Sequence, residues 1–186
     1  MTRPRVLVPL APGVEELEAV ATIDILRRAG AHVVTASVGA TNPIVGRNRI
    51  RLMADLDISE ALAEWGADWA LVALPGGPAV STLESDGSLM ELIGQRVAAG
   101  HPIAAICAAP RLLSAVGLDR TIPITNHPSC RSDVDDFEHY EQQPVVVSGG
   151  VITSRGAGTA ISFALACVEL LFGKARAVEI ANEIVA

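Results

Sequence analysis

The residue best placed to do chemistry in this chain is Cys107. It follows directly on the apolar run Ile-Ala-Ala-Ile at 103–106 and precedes a helical stretch that begins at Ala108. A side chain at such a strand-to-helix junction is held above the sheet at a helix N-terminus, the geometry of a nucleophile elbow. The free N–H groups there favour the thiolate, the reactive form, and lower its pKa. Inert burial is the commoner fate of a free cysteine. Cys167, inside the apolar stretch 163–171, reads that way. Cys130 lies in a loop, where oxidation, a disulfide with an oxidised Cys107 or a partner role is open.

His127 lies just past the apolar residues 121–125, in a loop before Pro128. Successive strand ends would bring it to Cys107, whose proton an imidazole can accept or hold. Glu15, Glu16 and Glu18 open the first helix. Acidic residues in a first turn complement the helix dipole, but at least one of these three must face the sheet. Glu18, just before Ala19-Val20-Ala21, is placed to point at the strand ends. Desolvation there favours its protonated form and makes it a proton donor or acceptor. Gly76 and Gly77 follow a buried strand. They read either as a plain turn or, with the N–H of Ala108, as an oxyanion hole.

The elements that must position these residues follow from periodicity. Residues 6–10 read as a buried strand, 15–29 as a helix stopped by Gly30, and 32–38 as a second strand. Short exposed strands are expected within 45–52. A helix capped by Ser59 should run to Trp65. Residues 69–74 read as a strand, and a helix led by Ser85 or Ser88 runs to Ala99. Residues 102–106 follow as a strand, then a helix over 108–116 with Pro110 in its first turn. Residues 121–125 read as another strand. Residues 145–147 and 151–153 flank Gly149-Gly150 as a hairpin, and helices follow over 157–172 and 175–184. The alternation predicts one doubly wound α/β domain with five or six parallel core strands. Its active site belongs at the carboxyl ends of the strands.

Composition narrows the classes. Of 186 residues, 50% are hydrophobic and only 3% aromatic, so Val, Ile, Leu and Ala must build the core. That excludes disorder and a cysteine-stapled scaffold. The net charge is −7, with a single lysine, Lys174, which argues against nucleic acid as a main partner. No apolar run reaches membrane-spanning length and no secretory leader is apparent, so a cytoplasmic setting is expected. Metal-ligand spacing, GxxxxGK[ST] and GxGxxG frames are missing, so neither a metal nor an organic cofactor is expected.

Taken together, Glu15-Glu16-Leu17-Glu18, Arg27-Arg28-Ala29-Gly30, Leu74-Pro75-Gly76-Gly77, Ala104-Ala105-Ile106-Cys107-Ala108, His127-Pro128 and Thr153-Ser154-Arg155-Gly156-Ala157-Gly158-Thr159 resemble the ThiJ/PfpI superfamily, in the branch of the Parkinsonism-associated protein deglycase. The resemblance covers nearly the whole chain. It implies a flavodoxin-like three-layer sandwich and a homodimer. It also implies Cys107 as nucleophile, Glu18 as the carboxyl hydrogen-bonded to it, His127 as the site histidine, and Gly77 and Ala108 as the anion site.

The implied activity is a cysteine-dependent glyoxalase or deglycase acting on a small aldehyde or a glycated substrate. The alternatives are a cysteine-oxidation sensor or protective chaperone, and another cysteine hydrolase, hydratase or peptidase. Three departures stand out. Ala109 replaces a glycine and is expected to narrow the elbow or shift its helix. Gly46-Arg47-Asn48-Arg49 departs from the branch's Cys-Ser-Arg, so its arginine is expected to be displaced or lost. Asn126 replaces a threonine before His127.

Overall fold

The computed structural model describes residues 3–39 and 42–186. Strand β1 (Arg5–Leu10) is buried from Val6 onward. Helix α1 (Glu16–Ala29) follows it. The Glu15 carboxylate accepts from the Glu18 N–H at 2.9 Å and so caps the helix, while Gly30 ends it in the left-handed region. Strand β2 (His32–Ser37) then pairs parallel to β1.

Strands β3 (Ile44–Val45) and β4 (Arg51–Leu52) form a small antiparallel ribbon outside the main sheet. Strand β5 (Leu56–Asp57) leads straight into helix α2 (Ile58–Trp65). Its cap is Asp57 rather than the expected Ser59. The Asp57 carboxylate accepts from the Ser59 N–H and Glu60 reaches back to the Asp57 N–H, a reciprocal box that a serine inside the first turn cannot make.

Strand β6 (Leu71–Leu74) is followed by helices α3 (Val80–Ser85) and α4 (Gly87–Ala99). The short helix α3 was not legible in the sequence. Asp86 caps α4 by accepting from the Leu89 N–H, in place of either predicted serine. Strand β7 (Ile103–Ile106) runs into the Cys107 elbow and helix α5 (Pro110–Ala115).

Residues 121–125 are not a strand. Only Ile124 pairs, in an isolated bridge with Tyr140, because Pro123 has no N–H to extend a ladder. A 3-10 segment covers Pro128–Val134. The hairpin of β8 (Val145–Ser148) and β9 (Val151–Ser154) turns on Gly149 and Gly150, both at positive φ. Helices α6 (Ala160–Phe172) and α7 (Lys174–Glu183) end the chain.

The main sheet has the order β5-β2-β1-β6-β7-β9-β8. Six strands run parallel and only β8 is antiparallel. Helices α1, α6 and α7 pack on one another, as do α3, α4 and α5, so the sheet lies between two helical layers. The chain leaves β1 toward β2 and later returns to β6 on the other side of β1. Ligands in doubly wound sheets sit at the carboxyl ends beside such a reversal. The buried Arg96 guanidinium stiffens this centre, donating to the Trp69 and Pro102 carbonyls at the amino ends of β6 and β7. No described helix is long and apolar enough to cross a membrane.

Candidate active site

The loops leaving β1, β6 and β7 meet at one point. Cys107 adopts φ +65°, a left-handed conformation that costs a non-glycine residue about 1–3 kcal/mol. Two backbone hydrogen bonds hold it there. Its N–H donates to Ser154 O at the end of β9, and its carbonyl accepts from the His127 N–H, each at 2.9 Å. Cys107 and His127 are thus joined at the backbone. Ala109 leaves the elbow intact: it has ordinary helical angles, and its N–H bonds Ile106 O at 3.0 Å.

The three glutamates do three different jobs. Glu15 caps α1. Glu16 is buried and accepts from the N–H groups of Asn48 and Ile50, tying the β3–β4 ribbon to the helix. Burial alone would push its pKa up, but these donors outweigh it and the net shift is downward. Glu18 is fully buried beneath Cys107, as its predicted orientation required. Its Oε2 accepts from the Gly76 N–H at 2.8 Å. Its Oε1 is buried without a hydrogen-bond partner, and the Cys107 side chain is a neighbour of the carboxyl.

This geometry corrects the oxyanion-hole assignment. The Gly76 N–H is committed to Glu18, whereas the N–H groups of Gly77 and Ala108 are directed at the Cys107 sulfur. Gly76 is instead a spacer. A Cβ on it would lie 2.6 Å from Cys107 Cβ and 2.9 Å from Glu18 Oε2, so no other residue fits between them.

Burial pushes the Glu18 carboxyl from 4.5 up to about 7. Burial, with the Glu18 charge second, pushes the Cys107 thiol up to about 12. The expected effect of the helix N-terminus is present in the Gly77 and Ala108 donors, but desolvation exceeds it. Both shifts express one constraint: the pair does not accept a second negative charge, and it carries a single proton through the neutral range. Donors decide where that proton resides. Two N–H groups point at the sulfur and one reaches Glu18, through Oε2, so the sulfur is the better-served seat for the negative charge.

Sequence reasoning missed two residues of the site. Gly156 closes it: a Cβ there would sit 3.1 Å from His127 Cδ2, 3.9 Å from Glu18 Oε1 and 4.0 Å from Cys107 Sγ. Asn126 is buried and its amide donates to Cys130 O, fixing the turn that carries His127. The cavity above Cys107 measures about 410 Å³, the lower range of small-molecule pockets. Arg47 lines it together with Gly77, Ala108, Arg111, His127 and Cys130. The arginine expected to be displaced or lost is therefore at the site. Among the described residues, no group of three or more His, Cys, Asp or Glu side chains could hold a metal ion.

A family model for the DJ-1/PfpI family matches residues 4–170. The chain belongs to this family. It is 37% identical to Protein DJ-1 homolog B of Arabidopsis thaliana over 96% of its length, but spans only 40% of that relative. It is 34% identical to a Caenorhabditis elegans protein named a glutathione-independent glyoxalase, covering 86% of this chain and 83% of the relative. The solved structure of oxidized Toxoplasma gondii DJ-1 superposes with a TM-score of 0.90 at 36% identity, covering 98% of each chain.

The raised Glu18 pKa has a consequence for stability. Between 4.5 and about 7 the folded protein holds one proton that the unfolded chain has released. Stability contributed by this group is complete below 4.5 and is lost as pH rises through about 7, by about 3 kcal/mol. Urea unfolding across this range should show the loss in the wild type relative to Glu18→Gln. A constant difference between the two proteins would contradict the shift.

Proposed function

We propose that this DJ-1/PfpI-family chain is a cysteine-dependent glyoxalase or deglycase that converts 2-oxoaldehydes, or their early adducts, to 2-hydroxy acids. The observation that carries the reading is the fully buried Glu18 carboxyl beneath an elbow cysteine whose sulfur faces two backbone N–H groups. The related C. elegans glyoxalase supports the substrate class.

The Cys107 thiolate adds to the aldehyde carbon of methylglyoxal and forms a hemithioacetal. Negative charge moves from sulfur to the former carbonyl oxygen, and the Gly77 and Ala108 N–H groups are the nearest donors to follow it. Protonated Glu18 supplies a proton without needing contact with bulk water. The adduct carbon then loses its proton and the neighbouring carbon gains one. His127 and Glu18 are the two groups beside the sulfur able to shuttle these protons. The rearranged thioester takes up water, which releases lactate and restores Cys107. Overall, one methylglyoxal and one water give one lactate, so no cofactor enters the balance. Arg47 at the cavity wall suits an electron-rich carbonyl or carboxylate oxygen.

Lactate formation from methylglyoxal tests this reading. Cys107→Ser should lower turnover at least about a thousandfold, since the nucleophile is removed. A wild type that gives no lactate, or a Cys107→Ser protein equal to it, would refute the assignment.

The same reading includes a homodimer. Leu17 and Val20 on α1 and Ile50 and Met53 near the β3–β4 ribbon are exposed apolar side chains, and Val20 and Met53 line one surface depression. Covering them in a second copy would remove an apolar patch from water. Sedimentation velocity should give twice the monomer mass, and Leu17→Lys with Met53→Lys should return it to the monomer. A wild type that stays monomeric at micromolar concentration would rule this out.

A further inference from the structure

Cys130 is a second thiol in the cavity that holds Cys107, and the glyoxalase reading gives it no task. The backbone stitches the two cysteines together through the histidine. His127 N–H donates to Cys107 O at 2.9 Å, and Cys130 N–H donates to His127 O at 2.8 Å. A side-chain path runs beside this one. Ser129 N–H donates to His127 Nδ1 at 3.2 Å, so Nδ1 is an acceptor and carries no proton. Ser129 Oγ lies 2.7 Å from the same Nδ1 and must donate to it. Its lone pair is then left for the Cys130 thiol, 3.8 Å away. The three groups form a chain of one polarity, from Cys130 S–H to Ser129 O–H to His127 Nδ1.

We infer that Cys107 and Cys130 form a two-cysteine couple that reduces a hydroperoxide and stores the oxidation as an intramolecular disulfide. The inference rests on the Cys107 thiolate of the proposed function but not on its aldehyde chemistry. In the first step the Cys107 sulfur attacks the outer peroxide oxygen. The S–O bond forms and the O–O bond breaks. Sulfur is oxidised to a sulfenic acid, and the peroxide is reduced and leaves as an alcohol, or as water, after taking a proton.

In the second step the Cys130 proton passes to Ser129 Oγ and the serine proton to His127 Nδ1. The Cys130 sulfur attacks Cys107, the S–S bond forms, and the S–O bond breaks. Hydroxide leaves and recovers the proton as water. The sum is two thiols and one hydroperoxide giving one disulfide, one alcohol and one water.

A disulfide requires Cα atoms about 4.4–6.8 Å apart, and the Pro128–Val134 turn must hold Cys130 within that reach of the elbow. The helical angles of that turn are broken at Cys130 itself (φ −109°, ψ 15°). Cys167, fully buried among core side chains, stays out of the exchange.

Stoichiometric hydrogen peroxide followed by alkylation and non-reducing tryptic mapping tests this. The cleavage sites place Cys107 in peptide 97–111, Cys130 in 121–131 and Cys167 in 156–174, so each thiol reports separately. The expected result is a 97–111 to 121–131 linked peptide within one chain, with two thiols lost and Cys167 free. Cys130→Ser should instead leave a Cys107 sulfenic acid that excess peroxide carries to the sulfinic acid. Ser129→Ala should slow the disulfide step about tenfold or more, while sulfenic acid formation, read with a dimedone trap, keeps its rate.

Cys107 sulfinic acid accumulating equally in wild type and Cys130→Ser, with Cys130 unmodified, would overturn the inference, as would a disulfide between two chains. Lactate formation that persists while no linked peptide appears would sink this inference alone. A Cys107 inert to both peroxide and methylglyoxal would sink both readings.

Discussion

A carboxyl group and a thiol, buried side by side, can hold only one negative charge between them. Everything near the carboxyl ends of β1, β6 and β7 serves that constraint. Gly76 gives the carboxylate one donor and keeps the gap between the two residues open. Gly77 and Ala108 direct their N–H groups at the sulfur. A proton that would otherwise be lost to solvent stays in the pair. The same burial that makes the pair reactive also costs stability at neutral pH. Sites that store strain or uncompensated charge in this way are common where chemistry is done.

The elbow depends on its neighbours. A non-glycine residue at φ +65° persists only if the surroundings over-determine it, and Cys107 is fixed from two directions. Its N–H is bound by the end of β9 and its carbonyl by His127. The parallel register of β7 with β9 places Ser154 opposite Ile106, so Ser154 meets Cys107 at the next step. The Asn126 amide then holds the turn beyond His127. Any shift of that turn is felt at the elbow carbonyl. The proposed aldehyde chemistry and thiol oxidation would thereby be coupled, since both would begin at the same sulfur and use the same imidazole.

The site was legible in the sequence wherever a chemical residue interrupts a periodic apolar run. Cys107 closes such a run, Glu18 opens one, and Gly76 breaks a third. The strand–helix alternation likewise announced the parallel sheet. What failed did so for local physical reasons. Asp57 and Asp86 cap in place of the nearby serines because their carboxylates accept from the first-turn N–H groups of Ser59 and Leu89. Residues 121–125 have the apolar content of a strand, but Pro123 removes the donor a ladder needs. Gly76 was grouped with the oxyanion donors because the direction of an N–H is a tertiary property. Arg47 appeared displaced when its neighbours departed from the expected pattern, yet Glu16 holds the ribbon so that it lines the cavity. Gly156 acts only where chain segments meet in space, and no spacing in the sequence marks it, whereas the Asn126 contact is local, to Cys130 four residues on.

The central claim is that the pair releases its first proton near neutrality and that the charge left behind is on sulfur. The rate of Cys107 alkylation by iodoacetamide as a function of pH, read on peptide 97–111, tests this most directly. If the thiolate forms while Glu18 keeps the remaining proton, the rate rises through about 7 and then levels. A rate with no inflection near 7 that climbs steadily toward about 12 would show that the proton stays on sulfur, and would contradict the account.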